Sequence, residues 1–142
     1  MRTMIWTFSL GDIDRVAKEI LGFLERGPSK VVALNGQMGA GKTTLVSAFV
    51  RALGCIDTPG SPTFSIINQY ADANGNPIYH MDWYRLKDEE EAIQAGVEDP
   101  LFEGAWCFVE WPEKALGLLP EDYRKAIIET LGPDRRRLTI EP

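Results

Sequence analysis

The sequence is poor in cysteine: it has two, Cys55 and Cys107, and they lie far apart. This excludes a closely spaced redox pair and a cysteine-based metal site. Reduced cysteines of this kind are typical of cytosolic proteins. Cys107 lies in an apolar run, so we predict that it packs as a small hydrophobic side chain.

Long hydrophobic runs and an excess of positive charge are also missing. No stretch is long enough to cross a membrane as a helix, and residues 1–10 have no apolar core of a signal peptide, so we expect a cytoplasmic protein without a membrane partner. The net charge is -6, which argues against a chain that grips nucleic acid by itself. The dense basic run 135–137 is interpreted as a solvated strand end, with contact to an acidic partner or a phosphate as the alternative.

The composition that is present is that of a globular protein. Hydrophobic residues make up 44% and charged residues 25% of the 142 positions, which is ordinary for a folded chain. This length is sufficient for one hydrophobic core. We therefore expect a single domain over residues 1–142.

A phosphate-binding motif, G-x-x-x-x-G-K-[ST], occupies residues 36–43. The preceding residues 30–34 form a short apolar run rich in β-branched residues and predict a buried strand, whereas residues 44–53 have helical apolar spacing. A strand, a glycine loop and a helix N-terminus together direct backbone N–H groups at phosphate oxygens. Lys42 would reach the β- and γ-phosphates and the Thr43 hydroxyl would bind Mg²⁺. A functionless glycine-rich turn is the less favoured alternative.

The order of the remaining elements indicates an α/β fold. Strands are predicted at residues 5–9, 30–34, 64–70, 78–84, 105–110, 123–130 and 136–140, and helices at residues 13–24, 44–53 and 88–95. Asp12 is a candidate N-cap of the first helix. Turns at 72–77 and 131–134 predict two antiparallel hairpins. The sum is a P-loop NTPase-like three-layer domain with a mixed sheet, in which antiparallel hairpins are added to a parallel core.

Two acids are candidates for the chemistry. Glu110 ends the apolar 105–110 run, where a P-loop nucleotidase needs an acid to hold Mg²⁺ or its waters; an acid in solvent is the less favoured alternative. Asp82 shares one strand face with His80 and Tyr84 by alternation. That face is equally consistent with solvent exposure and with a site, in which Asp82 would be the base or would orient the attacking water. His80 by itself is interpreted as a hydrogen-bonded structural residue.

Three residues outside the P-loop are candidates for contact with the nucleotide. Thr63, in the 61–64 segment, offers a hydroxyl to Mg²⁺ or to the γ-phosphate, and an ordinary Ser/Thr turn is an equal alternative. Trp111 either stacks on adenine or covers the core. Thr7, on the first strand, is a weaker candidate for bordering the base. The sequence has no Asn/Thr-Lys-x-Asp stretch that would read guanine, so ATP is the expected nucleotide.

Four stretches in this order and spacing make the chain similar to the bacterial TsaE (YjeE) family. They are residues 36–44, 61–64, 80–86 and 110–113. Only the P-loop is specific by itself, but the combination is highly specific and extends over nearly the whole chain. Members of that family are the small ATPases of tRNA threonylcarbamoyladenosine synthesis.

The resemblance implies an ATPase that is slow or inactive in isolation and that binds the TsaD–TsaB pair. ATP hydrolysis would reset that complex between rounds of modifying adenosine 37 in tRNAs that read codons starting with A, and TsaD would transfer the threonylcarbamoyl group. Contact with tRNA would therefore be indirect. In the family, the positions that match Thr43 and Glu110 hold Mg²⁺, and the position that matches Asp82 is needed for hydrolysis.

The chain departs from the family pattern in two places. Gln37 and Met38 stand where the family usually has an acid followed by leucine, and Asp99-Pro100 replaces a stretch that usually contains an aromatic residue. The cradle of backbone N–H groups does not depend on the side chains of the first pair. The departures instead concern contacts with a partner or with water.

These considerations give a set of expected site residues. The catalytic residues are expected to be Asp82, Lys42 and Glu110, and the Mg²⁺ ligands Thr43 and Glu110. The residues expected to bind ATP are Thr7, Gly36, Met38, Gly39, Ala40, Gly41, Lys42, Thr43, Thr44, Thr63 and Trp111. A small-molecule kinase is disfavoured, because a compact hairpin occupies the interval where a substrate segment and lid would be. A module that binds ATP without turnover is the other alternative.

Overall fold

Four parallel strands form the centre of a seven-stranded mixed sheet with the order β1-β7-β6-β2-β5-β4-β3. The strands are β1 (Met4–Ser9), β2 (Val31–Asn35), β3 (Ile67–Ala71), β4 (Pro77–Asp82), β5 (Trp106–Glu110), β6 (Arg124–Thr130) and β7 (Arg135–Ile140). Strand β2 pairs in parallel with β5 and β6, and β4 pairs in parallel with β5. This computed structural model describes residues 3–55 and 66–141. The predicted parallel core with a mixed sheet is confirmed.

Helices and short 3₁₀ turns cover both faces of this sheet. The helices are α1 (Ile13–Glu25), α2 (Lys42–Ala52), α3 (Glu89–Gln94) and α4 (Glu98–Phe102). Helices α1 and α2 bury their apolar stripes against one face, and α3 and α4 contribute to a second apolar cluster on the other. The result is the three-layer arrangement expected from the sequence. In the described ranges, no helix is both long and apolar enough to cross a bilayer.

The central strands are buried because they are apolar on both faces, as a sheet covered on both sides requires. Every residue of β5 is buried, and four of the five residues of β2 are buried as well. Cys107, in β5, is fully buried among hydrophobic side chains, which confirms its predicted packing role. Burial raises the pKa of its thiol.

Both predicted hairpins are present. Strands β3 and β4 pair antiparallel, as do β6 and β7. The first turn is held by Asp72, whose side chain accepts hydrogen bonds from the backbone N–H groups of Asn74 and Asn76. Gly75 has φ +82°, a conformation that favours glycine. The second hairpin closes with a bond from Leu131 N to Arg135 O.

Three local details differ from the sequence prediction. Asp12 is the N-cap residue of α1, as predicted, but its side chain makes no capping hydrogen bond; a 3₁₀ turn over Leu10–Asp12 precedes the helix, and the N–H of Ile13 donates to the carbonyl of Leu10. Strand β4 ends at Asp82 and not at residue 84, because the Asp82 carboxylate accepts the N–H of Tyr84 and turns the chain. Helix α4 was not predicted, since its five residues are too few to show a helical period.

Candidate nucleotide and magnesium site

The carboxyl ends of three parallel strands meet at one edge of the sheet. The register places Glu110 of β5 beside Leu34 of β2 on one side and beside Asp82 of β4 on the other. Ligands in sheets of this kind bind at the carboxyl ends of the strands. The two acids singled out in the sequence are therefore neighbours, and the P-loop, which leaves β2 at Asn35, adjoins them.

The P-loop has the backbone conformation that its glycines permit. Gly39 and Gly41 have φ of +84° and +100°, which side-chain-bearing residues rarely adopt. Gly36 has no space for a side chain, because a Cβ would lie 2.8 Å from both Cγ2 and O of Ile128. Helix α2 begins directly afterwards at Lys42. The N–H groups of its first turn have no acceptor within the helix, which suits an anion.

Arg136 on β7 supports the P-loop through a hydrogen bond to its backbone. Its Nε donates to the carbonyl of Ala40 at 2.9 Å, and its Nη1 donates to the carbonyls of Gly132 and Arg135. The side chains around it in the basic run behave differently, since Arg135 is exposed and Arg137 forms a surface ion pair with Glu129. Only the middle arginine of the run therefore contacts the P-loop, and it does so through a backbone carbonyl.

Lys42 is held in place at the start of α2. Its ammonium donates to the carbonyl of Gly36 at 2.8 Å and lies 3.6 Å from the centroid of the Trp111 ring. Burial lowers the pKa of Lys42, and the negative charges of Glu110, Glu113 and Asp82 partly oppose that shift. The contacts of Lys42 hold its Nζ next to the loop.

Thr43, Glu110 and His80 form a hydrogen-bonded group beside Lys42. The Thr43 hydroxyl lies 3.0 Å from both carboxylate oxygens of Glu110. Oε2 of Glu110 is also 2.5 Å from Nε2 of His80, and both of these side chains are almost fully buried. A hydroxyl and a carboxylate are hard oxygen donors, so the pair suits Mg²⁺, which in nucleotide sites completes its shell with phosphate oxygens and water.

A cavity of about 370 Å³ lies above this group. Its lining residues are Met38, Gly39, Gly41, Lys42, Thr43, Thr44, Asp82, Tyr84, Glu110 and Trp111. The volume is in the range usual for small-ligand pockets. Asp82 is half-buried at its wall. Of the two interpretations of the polar face of β4, the structure supports the one in which Asp82 lines a site.

Trp111 forms an aromatic wall of the cavity. It has φ 58° and ψ 51°, and it is the one non-glycine residue with positive φ in the part of the chain that the structure describes. Its ring contacts that of Tyr84, with centroids 5.0 Å apart. Backbone strain of this kind is concentrated at functional sites. Here it turns the indole directly after β5 so that it faces Lys42.

Four predicted site residues are not seen to line the cavity. Gly36, Ala40 and Thr7 are not among the described residues that line the cavity. Gly36 and Ala40 shape the loop, whereas Thr7 is exposed on β1 opposite Arg137. Thr63 lies outside the described residues. Nucleotide contact stays a prediction for these four residues and for those that line the cavity.

Comparisons with known proteins agree with this architecture. A family model described as "Threonylcarbamoyl adenosine biosynthesis protein TsaE" matches residues 8–138. The chain belongs to the TsaE family. The tRNA threonylcarbamoyladenosine biosynthesis protein TsaE of Bacillus subtilis (strain 168) is 35% identical over 141 residues, which cover 99% of this chain and 86% of the relative. Its counterpart in Haemophilus influenzae (strain ATCC 51907 / DSM 11121 / KW20 / Rd) is 40% identical over 114 residues, which cover 80% of this chain and 72% of the relative.

The crystal structure of Bacillus subtilis YdiB matches with a TM-score of 0.72 at 29% identity, covering 98% of this chain and 84% of that one.

In this TsaE family member, three contributors to the site were missed or left undecided from the sequence. Tyr84 lines the cavity, and the alternation that grouped it with Asp82 was the available signal. Arg136 contacts the P-loop across the sheet, 96 residues away along the chain, so no local pattern reveals it. His80 bonds to Glu110 across two strands, a relation that depends on their register.

Proposed function

We propose that this chain hydrolyses ATP in the cytoplasm as a partner of the TsaD–TsaB complex. Its ATP hydrolysis is required for threonylcarbamoylation of adenosine 37 in tRNAs that read codons starting with A. Membership of the TsaE family supports the pathway. The observation that carries the ATPase assignment is the convergence of Lys42, Thr43, Asp82 and Glu110 around one cavity at the strand ends.

The roles of the residues follow from their positions. The first turn of α2 and the ammonium of Lys42 would hold the β- and γ-phosphates. Thr43 and Glu110 would hold Mg²⁺, which when bound neutralises charge on the phosphate oxygens. Asp82 stands at the cavity wall with one oxygen fixed by the N–H of Tyr84. Its other oxygen would orient a water for in-line attack on the γ-phosphorus and accept its proton, releasing ADP and phosphate.

The surface charge supports an indirect relation to tRNA. The chain has 21 acidic against 15 basic residues. Arg136 and Arg137, two of the three arginines in its dense basic run, are engaged with backbone carbonyls or with Glu129. A phosphate-rich duplex is bound through clusters of free Lys and Arg. We therefore assign tRNA contact to the partner proteins rather than to this chain.

ATP turnover tests the proposal. Phosphate release from the purified chain should rise when TsaD–TsaB and substrate tRNA are added, and no small-molecule phosphate acceptor should be needed. Asp82→Asn should lower the stimulated rate by about 10²-fold or more, as expected when a group that handles the proton or orients water is lost. The amide retains an oxygen for the Tyr84 N–H, so the loop geometry is preserved.

The matched control is Asp122→Asn, which changes an exposed acid just before β6, away from the carboxyl ends of the strands. It should turn over ATP at the wild-type rate. Wild-type turnover by Asp82→Asn would remove Asp82 from the chemistry. Phosphate transfer to a small metabolite in the absence of TsaD–TsaB would instead favour a kinase.

A further inference from the structure

His80 interrupts an apolar stripe on β4. Ile78 precedes it by two residues on the same face and belongs to the apolar cluster that α1 and α2 cover. Phe108 of β5, which belongs to the same cluster, lies opposite His80. The histidine is 1% exposed. A buried imidazole costs free energy unless it is hydrogen-bonded, and an aliphatic residue would fill this position without that cost. Its presence here calls for a specific partner.

That partner is Glu110. Nε2 of His80 lies 2.5 Å from Oε2 of Glu110. A carboxylate only accepts hydrogen bonds, so a bond of this length requires the imidazole to donate from Nε2. We propose that His80 is a positioning residue for magnesium binding, which fixes the rotamer of Glu110 so that its carboxylate faces Thr43 and the cavity. This inference rests on the proposed function, since it takes Glu110 to be a Mg²⁺ ligand.

The geometry explains why a second support is needed. The Thr43 hydroxyl is about equally far from both oxygens of Glu110, so by itself it does not select one orientation of the carboxylate. Asp82 on the neighbouring strand places a second negative charge beside Glu110, which tends to push the carboxylate away. The hydrogen bond from His80 fixes the position of Oε2 of Glu110. Partners of this type, which contact a ligand but not the metal, typically change metal affinity 10–100-fold.

The decisive measurement is the Mg²⁺ concentration that gives half of the maximal Mg²⁺-dependent increase in binding of a non-hydrolysable ATP analogue. In His80→Leu, this concentration should rise about tenfold or more, while affinity for the analogue in the presence of a chelator stays within about twofold of wild type. In His80→Gln, the amide nitrogen can reach the position of Nε2. The half-saturating Mg²⁺ concentration of this variant should therefore shift by no more than half as much, on a logarithmic scale, as that of His80→Leu. A merely structural role would lower all of these affinities together.

Tyr79→Phe is the matched control. It removes a hydrogen bond from the next residue of β4, between the Tyr79 hydroxyl and Glu103, on the opposite face of the sheet. It should leave the half-saturating Mg²⁺ concentration unchanged. If His80→Leu does not fold, His80→Asn takes its place, because the shorter amide cannot reach Glu110 and should show the larger shift compared with His80→Gln.

The outcomes separate this inference from the proposed function. If the wild-type chain binds the analogue without any dependence on Mg²⁺, the proposed magnesium site fails and the role of His80 fails with it. If the wild type depends on Mg²⁺ but His80→Leu has the same half-saturating concentration, only the positioning role is overturned. Equal shifts of the half-saturating Mg²⁺ concentration in His80→Leu and His80→Gln, or in His80→Asn and His80→Gln, would overturn the positioning role as well.

Discussion

Lys42 is the one cation among the described residues that line the cavity. Hydrogen bonds to charged groups contribute about 1.5–3 kcal/mol each, so Lys42→Ala should weaken ATP binding by about 10- to 150-fold. Isothermal titration calorimetry would measure this directly. Lys18→Ala, which removes an exposed lysine from α1, is the control and should bind as wild type does. Equal affinity in the two variants would contradict the role of the P-loop.

The environment of Lys42 also predicts a pH dependence. Burial lowers the pKa of its ammonium below the ordinary value of 10.5, although the neighbouring acids oppose the shift. Bound phosphates favour the charged form, so the contribution of Lys42 to affinity should be fully present below its lowered pKa and be lost as the pH rises through it. Lys42→Arg keeps its charge throughout that range and should give a flatter curve. Parallel curves for the two proteins would show that Lys42 does not titrate in this way.

At the scale of elements, the P-loop depends on β7 for its support. Arg136 donates to three backbone carbonyls, including that of Ala40, and only 9% of it is exposed. Arg136→Ala would remove the side-chain donor from the buried carbonyl of Ala40 and from the part-buried carbonyl of Gly132. This should lower the free energy of unfolding by about 1–3 kcal/mol and weaken ATP binding as well. Chemical denaturation and calorimetry measure the two effects.

The neighbouring arginine on the same strand provides the control for that prediction. Arg135 is exposed, and Arg135→Ala should change the free energy of unfolding by less than about 0.5 kcal/mol. If Arg136→Ala lowers stability but leaves ATP affinity as in the wild type, the hydrogen bonds of Arg136 stabilise the β6–β7 hairpin and do not shape the P-loop.

Helices and strands with a regular pattern of apolar residues could be predicted from the sequence, whereas features that depend on a single side chain could not. The apolar stripe of α1 and the apolar run of β5 are buried, and both elements were predicted to within one or two residues of their bounds. The end of β4 depends on one hydrogen bond from Tyr84 to Asp82, which no periodicity reveals. Helix α4 is a single turn and a half with Pro100 in its first turn, where proline is tolerated.

For the molecule as a whole, motifs far apart along the chain predicted the site because parallel strands bring their carboxyl ends together. Glu110 was predicted as a strand-end acid and Asp82 as an acid within the 78–84 strand. The structure ends β4 at Asp82, and the register makes the two acids neighbours. Contacts made across the sheet were beyond sequence reasoning, since they depend on strand order. The bond of Arg136 to Ala40 requires β7 to lie near β2, which only the assembled sheet shows.

Because the cavity draws on the P-loop, α2 and the ends of β4 and β5, ATP should stabilise the centre of the sheet and not the P-loop alone. A ligand that binds only the folded chain at 100 times its dissociation constant adds about 2.7 kcal/mol to the free energy of unfolding. The thermal midpoint should therefore rise with Mg²⁺ and ATP, rise less with a chelator present, and rise less with GTP. Lys42→Ala should lose most of the increase at the same ATP concentration. An undiminished shift in that variant would place the nucleotide outside the P-loop, whereas equal shifts with GTP would contradict the preference for adenine.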